Sequence, residues 1–206
     1  MKMGSGDTYY DIYLGFGSNV GNLENNLLNA VFLIRKEITN INIIGSSNIY
    51  LSSPVGNAKL KISAAHQPDF LNCVILYRMT GVNQNLYKTY KDFGKQLLFK
   101  LKNIEKDLGR EKEAVRYSPR VIDIDILFIY DNYSRKTIKL NLPEIKLPHP
   151  EIKNRKFVLL PLLDLCGNLK NIKKALIEID KTDAGLFQKI TPYGCFNKNF
   201  TKILKF

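Results

Sequence analysis

The ten residues from Val121 to Tyr130, Val-Ile-Asp-Ile-Asp-Ile-Leu-Phe-Ile-Tyr, constrain the chain more than any other stretch. β-Branched and aromatic residues dominate it, and acids alternate with isoleucines, the period-two pattern of a strand with one covered face. Ile122, Ile124 and Ile126 supply that covered face. Asp123 and Asp125 share the other, about 7 Å apart along the strand. Two carboxylates held side by side repel unless a cation neutralises them. Hard oxygen ligands at this spacing suit Mg²⁺, which takes few carboxylates and fills its remaining positions with water and phosphate oxygens. An Asp-x-Asp alone is more often the solvent edge of a half-exposed strand, so its neighbours must decide.

Immediately upstream stand Arg110, Lys112, Arg116 and Arg120, four cations in eleven residues, with Pro119 limiting the loop's conformations. Guanidinium groups bind phosphate oxygens bidentately, and cations beside a metal site stabilise the charge of a phosphoryl group in transfer. The same loop carries Glu111 and Glu113, and a mixed charge run is by itself commonly a solvated surface. Set beside paired aspartates, the cations describe a nucleotide-phosphate site. The common nucleotide motifs are absent: there is no Gly-x4-Gly-Lys-Ser/Thr loop, and Gly15-Phe16-Gly17 is followed by Gly21, one residue too far for the dinucleotide fingerprint. Protein-kinase signatures are missing too.

The remaining pattern places this strand last in a series. Tyr9 to Phe16 reads as a strand ending in the turn Gly17-Ser18-Asn19-Val20-Gly21. Apolar residues at helical spacing from Leu23 to Ile38 predict a helix ending near Asn40. Ile41 to Tyr50 and Phe70 to Met79 read as strands joined by the long connection Leu51 to Asp69, and Leu86 to Leu108 as a long helix closed by Gly109. The order strand, helix, strand, strand, helix, strand predicts an α+β, ferredoxin-like, single-domain α/β/α sandwich with a mainly antiparallel sheet.

The formal net charge of +12 suggests a polyanionic partner. Its largest share lies away from the motifs: residues 166–206 carry eight lysines against three acids, whereas five of the arginines fall between Arg110 and Arg155. An RNA-binding ferredoxin-like domain fits poorly. Leu14 precedes Gly15 where that motif has a base, Ser18 follows Gly17 where it has an aromatic or apolar residue, and paired aspartates repel RNA phosphate. No nucleic acid is therefore expected as partner. Three scattered cysteines, Cys73, Cys166 and Cys195, make no disulfide framework or zinc spacing. Met1 to Asp7 lacks a signal-like apolar core, and no run has membrane-spanning length. A soluble, cytoplasmic protein with no membrane contact is expected.

One ordered motif set remains. It runs from Gly17-Ser18-Asn19-Val20-Gly21 through Tyr50 to Gly56, Gln67-Pro68-Asp69-Phe70-Leu71-Asn72, Ile104-Glu105 and Leu108-Gly109-Arg110. It continues with Arg116, Pro119-Arg120, Ile122 to Leu127, Pro148-His149-Pro150, and Arg155 to Pro161. Over roughly residues 9–165 this closely resembles the 6-hydroxymethyl-7,8-dihydropterin pyrophosphokinases of folate biosynthesis. The resemblance implies transfer of the β,γ-pyrophosphate of ATP to the pterin hydroxymethyl group, with AMP released and two Mg²⁺ ions held by Asp123 and Asp125. A different ATP-dependent pterin or nucleotide transferase sharing that metal site is the alternative.

Carried over residue by residue, the resemblance makes Arg110, Arg120, Asp123 and Asp125 the catalytic set, with the loop from Arg110 to Arg120 closing as a lid. Glu105, Lys112, Arg116, Tyr117, Arg120, His149 and Arg155 match the ATP side. Ser52, Pro54, Val55, Phe70, Asn72 and Phe157 match the pterin side, the two phenylalanines flanking the flat ring and Asn72 facing its edge. Lys112 stands where Arg is common, Tyr117 where Trp is common, Ser118 where Gly is common, and Ser52 where Thr is common. The resemblance further implies a monomer acting on two small molecules. Residues 1–8 are expected to be a disordered lead. Residues 166–206, which match weakly, are expected as an extension packed on the same domain with a helix around Ile172 to Ile179.

Overall fold

Alternation along β1 (Tyr9–Ser18) sets the architecture: Tyr10, Ile12, Leu14 and Phe16 are buried on one face, while Tyr13, Gly15 and Gly17 turn to the other. The structure, a computed structural model, describes residues 9–54, 67–81, 89–110, 118–166, 170–182 and 188–195. β1 lies antiparallel between β4 (Phe70–Thr80) and β5 (Asp123–Asp131). β2 (Ile41–Ser46) and β3 (Asn48–Ser52) both pair with β4, and β6 (Lys136–Thr137) pairs with the far end of β5. β7 (Leu140–Asn141) and β8 (Lys146–Leu147) form a separate small hairpin, and β9 (Ile190–Cys195) adds to β3. The spatial order is β6-β5-β1-β4-β3-β9, with β2 also on β4. The long elements keep the expected ferredoxin-like α+β order, and every pairing among the described residues is antiparallel.

α1 (Leu23–Glu37) and α2 (Tyr90–Asp107) cover one face of the sheet. Leu27, Ala30, Val31 and Ile34 of α1 and Phe93, Leu97, Leu101 and Ile104 of α2 pack on Ile12, Leu14, Ile75, Tyr77 and Ile124. α3 (Lys156–Cys166) and α4 (Lys170–Asp180) cover part of the other, through Val158, Leu159, Leu162, Ile172, Ala175 and Ile179 against Val74 and Leu127. Each fully buried aliphatic side chain contributes about 1.5–3 kcal/mol of transfer free energy, so the two layers hold the sheet from both sides.

Helix ends follow their local chemistry. The Asn22 side chain accepts the Asn25 N–H at 3.1 Å, and the Thr89 hydroxyl accepts the Asp92 N–H at 3.2 Å, each capping a first turn. α2 stops where Gly109 takes φ +97°, a conformation that suits a residue without Cβ. α1 ends at Glu37, earlier than the spacing predicts, and Asn40 turns the chain at φ +57°.

Three further features differ from the sequence expectation. The predicted strand Ile41–Tyr50 is broken at Ser47, whose hydroxyl accepts the Val74 N–H at 2.9 Å in place of a ladder carbonyl. Pairing of β1 with β5 slips by one residue, Leu14 facing Ile126 and Tyr13 facing Phe128, so Leu127 is a bulged extra residue. The bulge turns Leu127 toward α3, and Phe128 stacks on Tyr13 with centroids 4.1 Å apart. The chain beyond Cys166 supplies the strand β9 as well as the anticipated helix, and β9 joins the main sheet.

Candidate active site

The register of β5, β1 and β4 places Asp123, Gly17 and Asn72 in one cross-strand row and Asp125, Gly15 and Val74 in the next. Glycines therefore occupy the middle strand between an acidic and an amide edge, and the floor there is bare main chain. Two strand spacings set the edges about 10 Å apart. The result is a cleft of about 420 Å³ on the sheet face that α3 shares.

The turn after β1 ties this floor to the loops around it. Asn19 accepts the Arg120 N–H on Oδ1 at 2.7 Å, donates its own N–H to the Arg120 carbonyl at 3.1 Å, and donates from Nδ2 to the Pro68 carbonyl at 3.2 Å. Ser18 Oγ donates to the Val121 carbonyl at 2.5 Å and accepts from Asn26 Nδ2 at 3.0 Å. One turn thus fixes the entry to β5 and the entry to β4.

At the acidic edge Asp123 is held by two arginines, Arg110 Nη1 to Oδ1 at 2.5 Å and Arg120 Nη1 to Oδ2 at 2.8 Å. Arg155 Nη1 stands 3.4 Å from Asp125 Oδ2. Burial pushes the Asp123 carboxyl up, but Arg120, Lys102 and Arg110 outweigh it and hold it below the usual carboxylate range. Asp125 lies above that range, raised by burial and then by the charge of Asp123. The two acids are thus driven apart in acidity by one shared face. His149 is pushed down by burial and secondarily by Arg155, against the pull of Asp125. Its Nδ1 accepts the Glu151 N–H at 3.2 Å, which assigns the proton of the neutral ring to Nε2.

At the amide edge Asn72, 4% exposed, donates from Nδ2 to Ser52 Oγ at 2.8 Å and to the Phe70 carbonyl at 3.3 Å. Phe70, Pro54 and Phe157 line the same cleft, with the Arg155 guanidinium 5.7 Å from the centre of the Phe157 ring.

Arg110, Arg120, Asp123, Asp125, His149, Arg155, Ser52, Pro54, Phe70, Asn72 and Phe157 all line this one cleft. Glu105 stands behind it, 1% exposed, and meets it through Arg110 at 2.7 Å and Lys102 at 2.7 Å. Lys112, Arg116, Tyr117 and Val55 lie outside the described residues. Lys102, Glu151 and Asn154 also line the cleft and were not singled out from sequence. Lys102 had a signal: it sits three residues before Glu105 on α2, and hence on the same helix face. Among the described residues no group of three or more His, Cys, Asp or Glu side chains gathers as a metal site. Asp123 and Asp125 are a pair. No described helix is long and apolar enough to cross a membrane.

The model of the 7,8-dihydro-6-hydroxymethylpterin-pyrophosphokinase (HPPK) family matches residues 13–167. The chain belongs to this family. A folate synthesis bifunctional protein of Arabidopsis thaliana is 36% identical over 160 residues, which cover 78% of this chain and 28% of that protein. The 2-amino-4-hydroxy-6-hydroxymethyldihydropteridine pyrophosphokinase of Aquifex aeolicus is 34% identical over 158 residues, covering 77% of this chain and 81% of that one. The chain spans about a quarter of the length of the bifunctional plant relatives it matches. A crystal structure of a Plasmodium falciparum HPPK-DHPS triple mutant aligns with TM-score 0.53 at 16% identity, covering 90% of this chain and 48% of that one. It shares the HPPK fold with this chain.

Proposed function

We propose that this chain transfers the terminal pyrophosphoryl group of ATP to 6-hydroxymethyl-7,8-dihydropterin, releasing AMP in folate biosynthesis. The observation that carries the reading is the single row Asp123, Gly17, Asn72, which sets an acid-and-arginine edge and an amide edge about 10 Å apart across a floor with no side chains. A flat pterin at the Asn72 edge, between Phe70 and Phe157, points its hydroxymethyl group along the floor toward the carboxylates. Asn72 offers both a donor and an acceptor to the ring edge.

Arg110, Arg120 and Arg155 bind the triphosphate oxygens and orient the chain of phosphates in line with the hydroxymethyl oxygen. His149 offers Nε2–H as a neutral donor to the same phosphates. By the family resemblance Lys112, Arg116 and Tyr117 belong to the nucleotide side and Val55 to the pterin side. Two carboxylates on one face are a donor set that suits Mg²⁺ carried on phosphate, with Asp123 and Asp125 its holders. Two such ions, when bound, polarise the phosphate oxygens and lower the pKa of the attacking hydroxyl. The oxygen–Pβ bond forms as the bridge from Pβ to the α-phosphate breaks; the hydroxyl proton passes to solvent and AMP leaves with the bridging oxygen.

In this reading the chain is a cytoplasmic monomer, residues 9–165 form the pyrophosphokinase domain, and residues 166–206 are an extension on it. The polyanion foreshadowed by the net charge is ATP with magnesium. Incubation with ATP, Mg²⁺ and the pterin is expected to yield AMP in step with the pterin consumed. ADP as product, or turnover indifferent to the pterin, refutes the reading.

A further inference from the structure

The segment from Gln188 to Cys195 lies beyond the residues that match the HPPK family, yet it reaches both walls of the cleft. Gln188 is 6% exposed. Its Oε1 accepts the Lys156 N–H at 2.8 Å, and its Nε2 donates to the Asn154 carbonyl at 3.1 Å. These belong to the two peptide groups on either side of the Arg155 Cα, so one carboxamide spans that residue's whole backbone. The next residue joins the opposite wall: the Ser53 N–H donates to the Lys189 carbonyl at 3.1 Å, and the Lys189 N–H donates to Ser53 Oγ at 3.2 Å.

We infer that Gln188 is a positioning residue for Arg155, a strap from outside the family region that sets where the guanidinium meets the nucleotide. Arg155 is the extended link, at φ −129° and ψ 104°, between a 3-10 turn at Ile152–Asn154 and the first residue of α3. The Arg155 N–H reaches the Ile152 carbonyl at 3.5 Å and the Arg155 carbonyl accepts the Val158 and Leu159 N–H groups at 3.0 Å, while the Gln188 carboxamide ties the partner groups of the same two peptides, the Asn154 carbonyl and the Lys156 N–H, from outside both helices. The Lys156 N–H opens α3 and so lacks an acceptor inside its own helix, and Gln188 supplies one from a distant part of the chain. A long side chain amplifies any shift of its Cα, and small misplacements of a phosphate ligand weaken binding steeply.

The inference rests on the reading of Arg155 as a phosphate ligand, and its test uses ATP with Mg²⁺ in a binding measurement that needs no turnover. Gln188→Met keeps the length of the side chain and removes both hydrogen bonds. It is expected to raise the Kd for ATP with Mg²⁺ about tenfold, and to speed hydrogen exchange at the Lys156 amide. In an Arg155→Ala background the same change is expected to add nothing to the Kd. An unchanged Kd, or an equal effect with and without Arg155, overturns the inference. Faster exchange with unchanged Kd also overturns it, because Gln188 is then structural alone. Should Gln188→Met fail to fold, Gln188→Glu takes its place in the same cycle; it keeps the acceptor toward Lys156 and loses the donor toward Asn154. Wild-type protein that binds ATP and Mg²⁺ but makes no AMP from the pterin refutes the proposed activity and leaves the Kd comparison to decide the strap. Wild-type protein that binds no ATP overturns both.

Discussion

Glu105 holds Ile124: its Oε1 accepts the Ile124 N–H at 2.7 Å, at the residue between the two aspartates of β5. The same carboxylate takes Lys102 on Oε1 and Arg110 on Oε2. Burial raises this carboxyl, with the charge of Asp123 adding to it against the pull of Lys102 and Arg110. One buried acid on α2 thus sets the height of the strand that carries the acidic edge. Glu105→Ala strands a buried N–H and removes a partner from each of two cations, and is expected to cost about 3 kcal/mol. For a chain of this size that lowers the melting temperature by about 6–12 °C. Thermal denaturation followed by circular dichroism checks it, and a melting temperature within a degree of wild type would refute the role.

Asp125 is expected to behave in the opposite sense. Its carboxyl lies above its ordinary range because burial and the neighbouring Asp123 disfavour the charge. A raised carboxyl means that the fold is destabilised by ionisation at neutral pH, so removing the charge relieves it. Asp125→Asn is expected to leave the melting temperature equal or higher at pH 7 while abolishing Mg²⁺-dependent AMP release. A folded variant that retains turnover would refute the assignment of this acid to the metal.

Gly17 separates the two edges of the cleft, and a Cβ added there stands 3.3 Å from Asn72 Oδ1. Gly17→Ala is expected to push the Asn72 carboxamide aside. Steady-state kinetics should show KM for the pterin rising several-fold with KM for ATP little changed. Equal rises in both would mean that the floor is not divided in this way.

Asp131 supplies a pH test away from the cleft. Burial raises its carboxyl, but the Tyr90 hydroxyl at 2.5 Å, Ser134 and the Tyr133 N–H more than reverse this and hold it below the usual range. A depressed carboxyl gives stability that is present above its unfolded value, near pH 4, and lost as pH falls through the folded one. Tyr90→Phe is expected to destabilise by about 1 kcal/mol at pH 7. The gap from wild type should narrow as pH drops below roughly 4. Urea melts at both pH values decide it, and a gap that stays constant would show that Tyr90 acts by packing alone.

Much of this was legible because the informative residues alternate. Asp123 and Asp125 against Ile122, Ile124 and Ile126 define both faces of β5 in the sequence itself, and helical spacing locates α1 and α2. What escaped depends on partners far along the chain. Leu127 breaks the phase of β5 through a bulge that only the pairing with β1 reveals, so Ile129 rather than Phe128 returns to the first core. Ser47 interrupts a run that reads as one strand, because its hydroxyl meets Val74 across the sheet. Asp164, an unremarked acid on α3, accepts the Tyr50 hydroxyl at 2.9 Å and the Asn48 N–H at 3.0 Å and so pins β3 from above. Gly15 and Gly17 read in the sequence as a failed dinucleotide fingerprint, a poor RNA-binding motif and the approach to a turn, since their place between acid and amide needs the register of three strands.

The pairing of β9 with β3 also bears on how the protein behaves in concentrated solution. Without β9 the ladder groups of Asn48–Ser52 would form an open sheet border, a template on which a second chain could add. β9 closes that border and presents its own outer side, which carries Pro192, a residue with no N–H to offer a newcomer. A version of the chain cut back to the region matched by the HPPK family would bare β3, and self-association would be its first symptom.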